Sequence, residues 1–163
     1  MISHRKYLTD VEINQLKKDL SDMKDNKYAL FIYFALCTGA RLSEITILKK
    51  EDFTADTVVV KGLKGSNIRE LPVPRWLSTN IRKLEGEFPL KMSKDSVKRY
   101  WHFYRPNPDK PFHCLRHTFA IQLYKKSKDI RLVKYALGHK SIRNTMIYQD
   151  YTYQVHELKS FLT

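Results

Sequence analysis

Cysteine is scarce. Cys37 and Cys114 are the only thiols in 163 residues, and neither has a partner at C-x-x-C spacing, so the chain carries neither a disulfide framework nor a thiolate metal site. Long apolar runs are missing as well. The longest, Tyr28 to Cys37, is about half a membrane span and reads as a buried helix. The first residues, Met1-Ile-Ser-His-Arg-Lys, lead into a helix signal without the apolar centre of a secretory leader, so a cytoplasmic protein is expected. No internal repeat or low-complexity linker divides the sequence, and its length suits one domain. Acidic residues are in deficit too. Seventeen Asp and Glu stand against thirty Lys and Arg, a formal charge of +13. That balance favours a polyanionic partner bound in a strongly salt-dependent way, nucleic acid first and an anionic membrane surface second.

What is present reads as a mainly α domain with a small antiparallel β-hairpin sheet. Thr9 and Glu12 have the spacing of a capping box and open a helix that should reach about Met23. Residues 26 to 37 are apolar on nearly every face, which marks a central helix, and Thr38-Gly39 ends it. Ser43-Glu44 opens a short helix through Leu48. Thr57 to Val60 and Ile68 to Val73 are β-branched or alternating about a Gly-Ser-Asn turn, a hairpin with Lys61 and Lys64 at or near its tip. Further helices are predicted at about 75–84, 94–104, 114–126, 129–137, 141–147 and 154–162. A proline-rich loop, Arg105 to Pro111, directly precedes the third of these, the helix that carries His113 and Arg116 at its start.

His113 and Arg116 stand three positions apart and therefore on one helical face. His117 could instead be the catalytic imidazole, but it lies one residue further, about 100° around a helix from Arg116, so those two side chains should diverge. Gly138-His139 and Tyr148 follow downstream. Together these residues supply what in-line attack on a phosphodiester needs without a metal: fixed positive charge, proton carriers and a hydroxyl nucleophile. Each has an ordinary explanation when taken alone. Arg41 could be a surface arginine, although it follows a buried helix and a glycine turn and is held by backbone on both sides. His113 and Arg116 could merely start a helix, His139 could help to end one, and Tyr148 is one of ten tyrosines.

The set is more specific than its members. Thr38-Gly-Ala-Arg41-Leu-Ser-Glu44-Ile, Lys64-Gly-Ser-Asn-Ile-Arg69-Glu-Leu-Pro72-Val, His113-Cys-Leu-Arg116-His-Thr-Phe-Ala120 and the stretch from Leu137-Gly-His139 to Tyr148 resemble, in order and spacing, the signature boxes of the tyrosine recombinases, the phage integrase and Xer family. The likeness runs from about Tyr7 to Tyr148. It implies that Arg41 and Arg116 grip the non-bridging oxygens of the scissile phosphate. It further implies that Tyr148, nine residues after His139, is the nucleophile that forms a 3′-phosphotyrosyl link and frees a 5′-hydroxyl. On the same resemblance His113 takes the tyrosine proton, His139 hydrogen-bonds the phosphate, Lys64 (or Lys61) protonates the leaving oxygen, and Glu44 orients the basic cluster.

The resemblance also implies double-stranded DNA and further protomers as partners, with no metal, no ATP and no other cofactor. Lys61, Arg69, Lys94, Lys98 and Arg99 are additional candidates for DNA contact. The family's amino-terminal DNA-clamping domain is absent from the sequence, so 1–163 reads as a single catalytic domain. Tyr151 and Tyr153 stand close to Tyr148 and compete with it for the nucleophile's role. The apolar positions Val155, Leu158 and Leu162 should either link protomers or close the domain's own core, in a protein expected to be a monomer without DNA. Two other readings stay open. One is a relaxing topoisomerase of the tyrosine type. The other is a non-catalytic DNA-binding module that uses residues 94–104 in a groove.

Overall fold

A computed structural model describes residues 6–63, 65–85 and 92–151 of the chain. Eight helices and two strands follow one another as α1 (Asp10–Ser21), α2 (Lys27–Thr38), α3 (Leu42–Ile45), β1 (Thr57–Val60), β2 (Arg69–Pro72), α4 (Arg75–Lys83), α5 (Lys94–Tyr104), α6 (Cys114–Ser127), α7 (Ile130–Leu137) and α8 (Arg143–Met146) among the described residues. Helix α1 starts where the capping box places it: the Thr9 amide donates to Glu12 Oε2 at 2.8 Å and the Glu12 amide to Thr9 Oγ1. Asn26 caps α2 by accepting from the amides of Tyr28 and Ala29.

Helix α2 carries no charged residue past Lys27, and its Leu30, Phe31, Ile32 and Phe34 are wholly buried. It is the axis of the domain, touching α1, α4, α5 and α6. Gly39 then adopts φ +63°, and the turn is tight because a Cβ there would stand 2.4 Å from the Phe119 ring on α6. Arg41 is thereby delivered to a fixed point between α2 and α3. The short helix that follows ends at Ile45, earlier than the sequence pattern suggests, since the Leu48 amide already closes a turn onto the Ile45 carbonyl.

The strands pair antiparallel with Val58 opposite Leu71 and Val60 opposite Arg69, so Val58, Val60 and Leu71 face the core together. Arg69 shares that inward face. The segment joining the strands makes a further antiparallel bridge, Ser66 to His139, and the Asn67 amide donates to the Gly138 carbonyl at 2.9 Å. The hairpin is in this way stitched to the end of α7.

The proline-rich loop is tied down at its carboxyl end. Trp101 Nε1 donates to the Lys110 carbonyl at 2.8 Å, and Lys110 Nζ reaches the Tyr7 carbonyl at 2.6 Å and pairs with Glu12. That anchorage sets where α6 begins. Behind α6 a second apolar cluster of Ala120, Ile121, Val133, Leu137 and Tyr148 packs apart from the main core. The helix predicted at 141–147 is confined to Arg143–Met146, and the one predicted at 154–162 lies outside the described residues.

Candidate active site

Arg116 enters the interior from the first turn of α6 and is 3% exposed. Its Nη1 donates to the Gly39 carbonyl at 2.6 Å and its Nη2 to the Leu137 carbonyl at 2.8 Å, two oxygens left free where α2 and α7 stop at glycine. Nη2 also lies 3.0 Å from His139 Nε2. A guanidinium has no acceptor, so His139 must accept there and carry its hydrogen on Nδ1, which donates to Thr145 Oγ1 at 2.9 Å. Burial and then the Arg116, Arg41 and Arg69 charges push His139 down to about 4, which keeps the ring neutral. Burial and the Arg41 charge also lower Arg116, to about 10, and it stays protonated at neutral pH.

Glu44 is the buried carboxylate of this cluster. Arg69 clasps it with both terminal nitrogens, Nη1 to Oε1 at 3.0 Å and Nη2 to Oε2 at 2.9 Å, while its Nε donates to the Ala136 carbonyl. The Arg41 amide donates to Glu44 Oε2 at 2.7 Å, and the Arg41 side chain hydrogen-bonds Ser66 Oγ and approaches Glu44 Oε1. Burial raises the carboxyl's pKa, but the Arg69 hydrogen bonds, the Arg41 amide and the nearby guanidinium charges outweigh it, so the net shift is downward. One carboxylate thus contacts two guanidinium groups, Arg69 and Arg41, with the Arg116 charge nearby, and the cluster holds surplus positive charge suited to an anion.

Tyr148 reaches the same cluster from beyond α8. It is 2% exposed, and its hydroxyl lies 3.0 Å from His117 Nδ1. Burial raises the phenol's pKa while the Arg116 and Arg41 charges oppose that shift. His117 is pushed down to about 4 by burial and by His113, Arg116 and Lys6. His113 sits at the start of α6, open to solvent, with its ring edge-on to His117 at 4.9 Å between centroids. Its pKa is lowered by desolvation and by the Arg116 and Arg41 charges. A cavity of about 410 Å³ opens beside these residues, lined by Ala40, Lys98, Trp101, His113 and Arg116.

Arg41, Glu44, His113, Arg116, His139 and Tyr148 are therefore gathered closely enough for the Arg116 and Arg41 charges to act on the other four, and His113 and Arg116 line the cavity. Lys64 lies outside the described residues. One expectation needs correction. Arg69 was read as a candidate DNA contact, yet its side chain is fully buried and its donors are spent on Glu44 and Ala136, which leaves nothing for a phosphate. The hydroxyl of Tyr148 is met by His117. Divergence of neighbouring side chains on α6 separates His117 from Arg116 as the helix geometry requires, but Tyr148 approaches from another segment and takes the side that His117 faces. Lys94, Lys98 and Arg99 are exposed on α5, and Lys61 is half-exposed and paired with Asp52 at 3.0 Å. Among the described residues no group of three His, Cys, Asp or Glu stands together that could hold a metal ion, and no helix is long and apolar enough to cross a membrane.

Several known proteins share this sequence and shape. The tyrosine recombinase XerA of Thermococcus kodakarensis is 32% identical over 168 residues, a match that takes in 90% of this chain and 58% of the relative. The chain thus spans little more than half the length of the curated relatives it matches. In three dimensions the crystal structure of XerA recombinase superposes with a TM-score of 0.75 at 21% identity, covering 95% of this chain and 61% of that one. The catalytic domain of bacteriophage HP1 integrase superposes with a TM-score of 0.71 at 23% identity, covering 93% of this chain and 90% of that one. The sequence model of the phage integrase family matches residues 6–155, from before the first helix to past Tyr148, and the chain belongs to that family.

Proposed function

We propose that residues 1–163 act as the catalytic domain of a site-specific DNA recombinase that cleaves and rejoins double-stranded DNA through a tyrosine, without metal or ATP. The observation that carries this reading is a cluster of surplus guanidinium charge, with Arg116 against His139, near enough for the Arg116 and Arg41 charges to act on the Tyr148 phenol. Arg41 and Arg116 hold the non-bridging oxygens of the scissile phosphate, and their forked donors suit its geometry. His139 donates a further hydrogen bond to that phosphate once its Nε2 is released from Arg116 and takes up a proton, which the incoming negative charge favours. Tyr148 attacks phosphorus in line, the 5′-oxygen leaves, and the bond energy is kept in a 3′-phosphotyrosyl link. Lys64, with Lys61 as the alternative, supplies the leaving oxygen's proton. Glu44 acts through Arg41 by holding its backbone.

Lys94, Lys98 and Arg99 extend the positive surface from the pocket along α5 toward neighbouring phosphates. Further protomers on DNA complete the assembly, and the reaction takes place in the cytoplasm of a prokaryotic cell. Neither the topoisomerase reading nor the non-catalytic module finds support in the family match.

Incubation with a nicked suicide substrate, followed by a denaturing gel, tests the proposal. A covalent protein–DNA band is expected, unaffected by EDTA, and absent in Tyr148→Phe at nearly unchanged DNA affinity. Transfer of the loss to Tyr151→Phe or Tyr153→Phe would move the nucleophile, and DNA binding with no adduct at any tyrosine would leave a binding module. Rescue of Lys64→Ala by a 5′-phosphorothiolate, whose sulfur leaves without a proton, identifies the general acid; rescue of Lys61→Ala instead would move that role.

A further inference from the structure

Thr145 is wholly buried on the four-residue helix α8. Its Oγ1 stands 2.9 Å from His139 Nδ1, and its carbonyl accepts from the Tyr148 amide at 3.0 Å. One residue therefore touches both the imidazole assigned to the phosphate and the backbone that carries the nucleophilic hydroxyl. The other ring nitrogen, Nε2, faces Arg116 Nη2 at 3.0 Å, and a guanidinium only donates. A ring protonated on Nε2 alone would set two donors against each other there. The Thr145 hydroxyl instead accepts from Nδ1–H, and it can go on doing so when Nε2 takes up a proton for the phosphate, since both nitrogens of the cation are donors. The ring thus needs no turn between the free and the phosphate-bound protein.

We infer that Thr145 is a positioning residue: its hydroxyl fixes the tautomer and the orientation of His139, so that Nε2 points at the scissile phosphate in register with Tyr148 one turn further on. The inference rests on the recombinase reading of His139 and Tyr148. The backbone of His139 is already held, by its amide on the Lys134 carbonyl at 3.1 Å and by the bridge to Ser66, so the rotation of the side chain is what remains to be set. A valine would fill the same space at 145 without burying a polar group, and a buried hydroxyl is costly unless it has a partner. His139 is that partner. A hydroxyl also orients the ring without adding negative charge, so the Arg41 and Arg116 charges stay available to the phosphate.

The decisive variant is Thr145→Val, which keeps the branched shape and the carbonyl that holds Tyr148 but removes the hydroxyl. Adduct formation on the nicked suicide substrate should slow by about 10–100-fold, the scale found for partners that orient metal-bound imidazoles. Thr145→Ser should recover most of the rate, and Thr145→Ala carries the same expectation as the valine where that variant does not fold. Nitrogen-15 NMR of the free protein gives a readout that a merely structural role would not move. The His139 ring, assigned by difference from His139→Gln, should be protonated at Nδ1 in the parent and in Thr145→Ser, and should lose that single tautomer in Thr145→Val. In a His139→Gln background the valine should add little further loss of rate, because the hydroxyl acts through the ring. A parent ring protonated at Nε2, or an undiminished rate in Thr145→Val, would overturn the inference. So would a full additional loss in the His139→Gln background, which would make Thr145 a packing residue. Survival of the adduct in Tyr148→Phe would sink the underlying recombinase reading, and this role with it, even where the spectrum is as expected.

Discussion

Arg69 and Arg116 are two buried arginines set on either side of the same turn at Gly138, and they differ in what meets their charge. Arg69 faces a carboxylate through two parallel hydrogen bonds and ends on a backbone carbonyl, so its charge is neutralised inside the fold. Arg116 faces two carbonyl oxygens and a neutral imidazole. Its donors are positioned by the protein, yet its charge is left uncompensated by any direct carboxylate contact among the described residues. The first arginine is a strut that joins β2, α3 and α7. The second is preorganised for an anion that arrives from outside, which is the arrangement electrostatic stabilisation of a transition state requires.

The comparison can be broken most forcefully at the strut. Arg69→Met leaves Glu44 charged, buried and without its clasping partner, and should cost about 3–5 kcal/mol of unfolding free energy in urea titration. Pairing it with Glu44→Gln should recover much of that loss. A near-neutral Arg69→Met would mean that the pair does not hold the hairpin in place.

At Arg116 the expected loss is in chemistry. Arg116→Ala should lower the rate of covalent adduct formation by about 10²–10³-fold, since one preorganised donor of this kind is worth about 3–4 kcal/mol in the transition state. Its urea midpoint should move less than that of Arg69→Met. The reverse ranking of the two variants would erase the distinction between strut and clamp.

Acid sharpens the difference further. His117 and His139 are each held near 4 in the folded protein, below the ordinary histidine value of about 6.5. Between those two values the unfolded chain binds more protons, so stability rises with pH across the window and is lost on acidification toward 4. The slope should be at most about 1.4 kcal/mol per pH unit for each histidine, read from urea midpoints at successive pH values. Glu44 is shifted in the same direction, a depressed carboxyl, and its contribution persists until lower pH. His139→Gln should flatten the slope; an unchanged slope would remove His139 as a source.

The smallest effect is expected where the two regions touch. Gly138 has φ +69°, and an added Cβ would stand 2.8 Å from Arg69 Nη1 and 2.9 Å from the Asn67 carbonyl. Gly138→Ala should destabilise by about 1–2 kcal/mol through the left-handed backbone, with the overlap on Asn67 and Arg69 adding to it, seen as a lower melting temperature. A shift confined to cleavage, with melting unchanged, would show that the strain is relieved toward the clamp.

Much of this arrangement is legible along the chain. Thr9 and Glu12 announce the start of α1, Gly39 and Gly138 the ends of α2 and α7, and the β-branched run at Thr57–Val60 its strand, because each depends on contacts within a few residues. Arg41, Glu44, Arg116, His139 and Tyr148 are legible as a set because their boxes keep a family's order and spacing. Arg69 carried a signal that a stricter reading of the strand reveals. It stands two residues before the core-facing Leu71, and alternate strand residues share a face, so its side chain had to point inward and find a buried acid.

By itself, the sequence determined the helices, the hairpin, the family and the roster of charged groups, since local periodicity, glycine turns and residue spacing are properties of the chain. Tertiary structure alone decided which charges are spent and which remain available. Arg69 and Arg116 look alike as letters, and only the packing of α3 against β2 brings Glu44 to one of them. His117 points away from Arg116 as its position on the helix demands, and only the return of the chain beyond α8 sets the Tyr148 hydroxyl against it. Both outcomes depend on contacts between residues far apart in sequence, where burial fixes direction and the low dielectric makes each pairing count.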